Sequence, residues 1–341
     1  MHIPDGYLSP ATCAALYATS APFWWVAMRR VGRRIGARLI PLLSVFSAFS
    51  FVVMMFNLPL PGGTTGHAVG VAISTIVLGP WASMLAISAA LLLQALFFGD
   101  GGVTALGANC FNMAIAGSLT AYVSYRLLAG RSAITSRRRV FAAGFAGYAA
   151  VNVAALLTAL EFGIQPMFFK DAAGAPLYAP YPLSIAIPAM MIGHLTIAGM
   201  AELAVSAGLV AWLQKSHPSL LRATAPEAAA IEVEDQAFVG WRVVRPLLAG
   251  LAVLLLLTPL GILATGTAWG EWAPGDFPDS EQLPPGLERL SSVWTAPFPD
   301  YAPPLLHSAW FGYLLSGAFG TGLILLVALL ADWVLRRRGA Q

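Results

Sequence analysis

Met1 and His2 bring three nitrogens within reach of one metal ion: the α-amine, the backbone nitrogen of His2 and its imidazole. Amine and amide nitrogen close a five-membered ring around an ion, and amide nitrogen and Nδ1 close a six-membered one. Neither ring is strained, and the three donors fall in one plane. A fourth nitrogen completes a square-planar set, the geometry that suits Ni(II) and Cu(II). The amine and imidazole must be unprotonated and the amide must lose its proton, so the site is pH-dependent and selects metals late in the Irving–Williams order. A chain that starts Met-His can simply fray, but Pro4 and Asp5-Gly6 follow at once and read as a stiff turn.

The elements that must position this terminus are membrane helices. The 341 residues are 58% hydrophobic and 10% charged, with a mean hydropathy of +0.73, whereas a soluble domain carries about 25% charged residues. The net charge of +3 does not imply nucleic acid, because the arginines lie between apolar segments and set topology. Cys13 and Cys110 sit in apolar stretches without CxxC spacing and read as buried thiols. The first apolar run ends in arginines, with no cleavage site, so no signal peptide is expected.

In chain order, spans are expected near 11–28, 39–58, 67–78, 81–98, 104–128, 140–161, 183–213, 246–265 and 306–333. The uncharged stretch 67–98 would be about 48 Å long as one helix, well beyond a hydrocarbon core of about 30 Å. Gly79-Pro80 is its natural break. With that break, all of the 19 Lys and Arg residues except Lys170 and Arg289 fall on the cytoplasmic side. The expected fold is an all-α polytopic membrane protein of about nine transmembrane helices, N-terminus outside and C-terminus cytoplasmic. It divides into a seven-helix unit (1–214), a polar cytoplasmic linker (215–245) with Glu227, Glu232, Glu234 and Asp235, and a two-helix unit (246–341) with an outer loop rich in Pro, Trp and acidic residues.

Polar residues at membrane depth are costly and tend to be functional. His67, in Gly62-Gly63-Thr64-Thr65-Gly66-His67, lies where an outer loop re-enters a helix, on the same side as Met1. It is the candidate fourth nitrogen; an interfacial histidine bonded to backbone is the other reading. Glu202 and His194 flank one broad helix face, either as a buried structural pair or as a relay. Asn109 and Asn112, one turn apart, could orient a ligand or join helices. Asp100, in a glycine loop, reads as a helix cap or as the outer lip of a cation path. His217 and His307 are expected to be incidental. No Gly-Lys dipeptide occurs, so there is no Walker A motif, and there is no HExxH.

The N-terminal run Met1-His2-Ile3-Pro4-Asp5-Gly6-Tyr7-Leu8-Ser9-Pro10 resembles that of the cobalt/nickel-specific substrate-binding components (CbiM/NikM) of energy-coupling-factor transporters. Gly63-Thr64-Thr65-Gly66-His67 is similar to their second motif. The run from Gln94 through Asp100 to Asn109, continuing to Asn112 and Ala114, is similar to their third. Residues 246–338 resemble the N-type partner (CbiN/NikN), and Pro284-Pro285-Gly286-Leu287-Glu288 matches its PDGLE signature except for Pro285 in place of Asp. The resemblance implies a metal site of Met1 amine, His2 amide and imidazole, and His67 imidazole. Thr64, Thr65, Asp100, Asn109, Asn112, His194 and Glu202 would lie around it. It implies Ni²⁺ or Co²⁺ as transported substrate, with no organic cofactor and no enzymatic activity of its own. The implied partners are a transmembrane coupling (T/Q-type) subunit and cytoplasmic ATPase subunits in the bacterial plasma (inner) membrane, with lipid around the chain and no nucleic acid. The rival reading is an intramembrane proton-coupled carrier or enzyme using Glu202 and His194, and a third is a scaffold without ligand. The topology is testable directly. A reporter fused near residue 101 should read as external and one near 135 as cytoplasmic; an external signal at 135 would overturn it.

Overall fold

The computed structural model describes residues 1–32, 39–61, 64–224, 241–264, 266–277, 283–303, 306 and 308–338. The expectations placed on Arg33, Arg34, Arg38, Gly62, Gly63, residues 225–240 and His307 lie outside these. Helices α1 (Pro10–Gly32), α2 (Leu39–Met54), α3 (Val71–Leu78) and α4 (Pro80–Leu93) come first. The chain continues through α5 (Leu106–Asn109), α6 (Gly117–Ala129), α7 (Arg137–Phe168), α8 (Leu183–Gly193) and α9 (Gly199–Ser216). The C-terminal part supplies α10 (Trp241–Leu257), the short α11 (Pro285–Ser291) and α12 (Ala309–Arg338). Among the described residues, five helices are long and apolar enough to cross a membrane, and the chain is a multi-pass membrane protein.

Small residues set the centre of the bundle. On α7, Ala142, Ala143, Ala146, Ala150, Ala154, Ala155 and Ala159 are buried. They let α6, α8 and α9 pack against that helix at close range, as small residues do where lipid gives no hydrophobic drive. Helix α2 touches α4 on one side and α10 and α12 on the other, so it ties the C-terminal helices to the rest. Three π-helical turns interrupt the bundle, at Gln94–Phe98, Cys110–Ala116 and His194–Ala198. The first two flank the Gly99–Gly102 loop, and such turns re-aim side chains at functional positions.

The mostly helical fold also carries one hairpin among the described residues: β1 (Leu58–Leu60) pairs antiparallel with β2 (Thr64–Gly66), which runs straight into His67. Gly79, at φ 80°, and Pro80 do break the long apolar stretch. The segment before the break, however, is only an eight-residue helix, about 12 Å long, and cannot cross the membrane alone; residues 67–70 precede it outside any helix. The described start of the expected linker packs on the bundle. Pro218–Thr224 forms a 3₁₀ turn with Leu220, Leu221 and Thr224 buried, and the Thr224 hydroxyl donates to the Ile76 carbonyl at 3.3 Å.

Glu202 and His194 do not form a pair. The π-helical turn at His194–Ala198 lies between them and changes their angular relation. His194 Nδ1 meets the Met190 carbonyl at 2.7 Å. The Glu202 carboxylate accepts from the Val69 and Gly70 amides at 2.7 and 2.8 Å. It thereby caps the short α3 from another helix, where the amide groups and the helix dipole both favour a negative charge. An acceptor at this depth satisfies donors that lipid cannot. Glu202→Ala strands two buried amides, each worth about 1–3 kcal/mol, whereas Glu202→Gln keeps an oxygen in place. Thermal unfolding in detergent should rank wild type above Gln and Gln above Ala; an Ala variant as stable as wild type would remove the capping role.

Candidate metal centre

The chain terminus is not a surface tail. Met1, His2, Ile3, Tyr7, Leu8 and Ser9 are each at most 3% exposed, so their backbone groups need partners inside the protein. The bundle supplies them one by one. The Asn109 side chain brackets Ile3, its Oδ1 accepting from the Ile3 amide at 2.8 Å and its Nδ2 donating to the Ile3 carbonyl at 3.1 Å. The Gly102 amide donates to the same carbonyl at 2.8 Å. Asp5 accepts from the Val103 amide at 3.1 Å, the Thr104 amide at 2.7 Å and the Thr104 hydroxyl. Further along, the Ala179 amide donates to the Tyr7 carbonyl at 3.0 Å, and the Ser9 amide donates to Gln165 Oε1 at 3.0 Å. Gly102 lies so close that a Cβ there would collide with the backbone of Pro4 and Asp5.

This lacing brings the two histidines together. The His2 and His67 rings stack with centroids 4.9 Å apart and planes 25° from parallel. Both are buried. Among the described residues, neither ring nitrogen of His2 nor Nε2 of His67 has a hydrogen-bond partner, which is unusual for buried polar atoms. His67 Nδ1 lies 3.1 Å from the Ala68 carbonyl; when it donates there, Nε2 is left with its lone pair free. A neutral imidazole in that tautomer is the form that ligates metals.

Two of the other three donors of the expected chelate, the Met1 amine and His2 Nδ1, face carboxylates in this arrangement. His2 Nδ1 is 2.7 Å from Asp100 Oδ1, close but without hydrogen-bond alignment. The Met1 amine donates to Glu271 Oε1 at 2.7 Å. Asp100 is itself held by Gln94 Nε2 at 3.0 Å and by the Tyr301 hydroxyl at 2.5 Å. A four-nitrogen set thus requires the amine and Nδ1 to exchange these carboxylates for the ion.

Of the residues singled out by sequence, the structure brings Met1, His2, His67, Asp100 and Asn109 together. Thr64 and Thr65 lie beside them but serve the cover: the Thr64 hydroxyl donates to the Thr267 carbonyl at 2.9 Å, and Thr65 bridges Ala268. Asn112 points elsewhere. The π-helical turn that begins at Cys110 separates it from Asn109, and its Nδ2 donates to Glu161 Oε2 at 2.8 Å and Thr158 Oγ1 at 3.2 Å. His194 keeps to its own helix, and Glu202 reaches the centre only through the backbone that follows His67. Asp5, Gln94, Glu271 and Tyr301 were not singled out. Glu271 and Tyr301 are more than 260 residues from Met1 in sequence, and no local pattern marks them.

The segment between α10 and α12 of the C-terminal part forms the lid. The Tyr7 hydroxyl donates to the Trp272 carbonyl at 2.9 Å, and the Leu177 carbonyl accepts from the Gly286 amide at 2.9 Å. The buried Leu287 lies against Gly6. A cavity of about 430 Å³ remains beneath, lined by His67, Asp100, Glu271, Trp272 and Tyr301 among others.

Comparison with known proteins fits this division. Residues 2–220 match the family described as cobalt uptake substrate-specific transmembrane region, and residues 245–337 match the PDGLE domain. A fused nickel transport protein, NikMN, of Rhodobacter capsulatus is 54% identical over 340 residues, covering 95% of each chain. A probable fused nickel transport protein, LarMN, of Lactiplantibacillus plantarum is 39% identical over 96% of each chain. A crystal structure described as a truncated transition metal transporter has 46% identity and a TM-score of 0.60, covering 64% of this chain and 100% of that one. The chain belongs to the cobalt uptake substrate-specific transmembrane family, with a PDGLE domain carried on the same polypeptide.

Proposed function

We propose that this protein is the substrate-specific component of an energy-coupling-factor ABC transporter that imports Ni²⁺, with Co²⁺ as the alternative ion. The carrying observation is a buried α-amine and His2 stacked on His67, with Nε2 of both rings lacking a hydrogen-bond partner among the described residues. The ion binds to the Met1 amine, the His2 amide and Nδ1, and the His67 imidazole. A planar four-nitrogen set favours Ni²⁺ over Co²⁺. Asn109 and Asp5 hold the terminus at the depth where His67 can complete the set. Asp100, Thr64, Thr65 and Glu202 act around it by positioning.

In this reading nine membrane segments, seven and two, place the N-terminus outside and the C-terminus in the cytoplasm of a bacterial plasma membrane. The third segment crosses as extended chain plus α3. Residues 1–214 are the metal-binding unit, 215–245 the linker and 246–341 the accessory unit. A separate transmembrane coupling subunit and cytoplasmic ATPases supply the work of reorientation and release. The names of the relatives as nickel transport proteins support the ion class.

Two outcomes follow. An N-terminal acetyl group should reduce Ni²⁺ affinity at least about 100-fold, as should His67→Ala, because each removes a donor from the chelate; a tag beyond Gln341 should be harmless. Calorimetric titration of the three forms at one pH decides this, and equal affinity with a blocked amine would remove Met1 from the ligand set. Separately, Gly102→Ala touches no proposed donor yet should push the Pro4–Asp5 turn outward and cost about tenfold or more in Ni²⁺ affinity. Unchanged affinity in that variant would mean the lacing of the terminus is not needed for binding.

A further inference from the structure

The geometry points to a second cation station just outside the four-nitrogen set, built from Glu271, Asp100 and the His2 imidazole, where a hydrated divalent ion is first held. This inference rests on the proposed metal-binding reading of the same terminus and extends it to a ligand from the C-terminal part of the chain. One ligand atom from each of His2, Asp100 and Glu271 falls within 4.8 Å of the others, which is the spacing of groups that can share one ion. His2 is 1% exposed; its Nδ1 faces Asp100 Oδ1 at 2.7 Å, and its Nε2 has no hydrogen-bond partner among the described residues. Glu271 and Asp100 retain partial exposure at 17% and 18% and line the cavity beneath the lid.

Two carboxylates and one imidazole form a different site from four nitrogens. Carboxylate and water oxygens suit Mn²⁺, which stands lowest in the Irving–Williams order, whereas a planar nitrogen set suits Ni²⁺ and Cu²⁺. The partners of the two carboxylates also describe the hand-over. Glu271 holds the Met1 amine and Asp100 faces His2 Nδ1, so an ion taken at the station draws Asp100 off the imidazole it binds and Glu271 off the amine it will bind next. The ion then moves inward by ligand exchange, with no large displacement of the chain. Glu271 is fixed for this task by its neighbourhood: its amide donates to the Ala268 carbonyl at 3.0 Å, and Ala268 bridges Thr65, two residues before His67.

The test compares wild type with Glu271→Gln in the purified full chain, using Mn²⁺ alone by electron paramagnetic resonance and Ni²⁺ alone by calorimetry and stopped-flow loading. Wild type should bind one Mn²⁺. The variant should bind it at least about tenfold more weakly and load Ni²⁺ several-fold more slowly. Its final Ni²⁺ affinity should not fall, since the amine loses a competing carboxylate; this also reports that the variant is folded. Any one of three results overturns the station: no Mn²⁺ binding by wild type, equal Mn²⁺ affinity or Ni²⁺ loading rate in the two proteins, or a Ni²⁺ affinity that falls in the variant. The last would make Glu271 a member of the final set. Ni²⁺ binding that does not depend on His67 would sink the four-nitrogen reading instead, and the Mn²⁺ comparison would still decide the station.

Discussion

Everything in this molecule depends on burying a chain terminus. An amino terminus normally stays in water, because its charge and its unpaired amides are costly to remove from it. Here the first nine residues lie inside a membrane bundle, and the surrounding helices are arranged to meet their polar groups. Asn109 answers Ile3, the glycine loop answers Ile3 and Asp5, Gln165 answers Ser9. Each partner comes from a different part of the chain, so the terminus acts as a keystone whose loss would strand polar atoms on several helices at once. The glycines of the loop belong to the same constraint, since only a residue without Cβ lets the backbone of Gly102 approach that of Asp5.

The second half of the cover comes from the PDGLE domain. Its outer segment contributes Glu271 to the amine, the Trp272 carbonyl to Tyr7, Leu287 to Gly6 and Tyr301 to Asp100. Aromatic rings close the seam: Tyr7 meets Phe162, and Trp269 meets both Phe162 and Tyr181. Fusion onto one polypeptide keeps this lid at a high effective concentration over the site. The lid bears on the proposed metal centre from outside its donor set, since the Glu271 carboxylate holds the amine that must ligate.

The sequence disclosed what local chemistry can disclose. Met1-His2 has the donor spacing of the proposed chelate by bond lengths alone, Gly79-Pro80 is a helix break by stereochemistry, and both features were legible before any fold was known. So was the pairing of His67 with the terminus, because charge bias put both on one side of the membrane. The remainder depended on phase and distance. A π-helical turn, invisible to a 3.6-residue count, turned Asn112 away from Asn109 and separated His194 from Glu202. Glu202 reads from sequence as one half of a buried pair or relay with His194; its partners are backbone amides more than 130 residues away, which no side-chain pattern records. Glu271 and Tyr301 lie in a segment that reads only as polar and aromatic, and their roles come from docking against a loop formed by the other half of the chain.

The central claim, that four nitrogens from Met1, His2 and His67 hold the ion in one plane, is tested most directly by magnetism together with X-ray absorption on the purified protein loaded with one equivalent of Ni²⁺. A planar four-nitrogen field pairs the electrons of a d⁸ ion, so the account predicts a diamagnetic centre with a nitrogen-only first shell of four. A paramagnetic six-coordinate centre with oxygen ligands would contradict it and place the ion on the carboxylates.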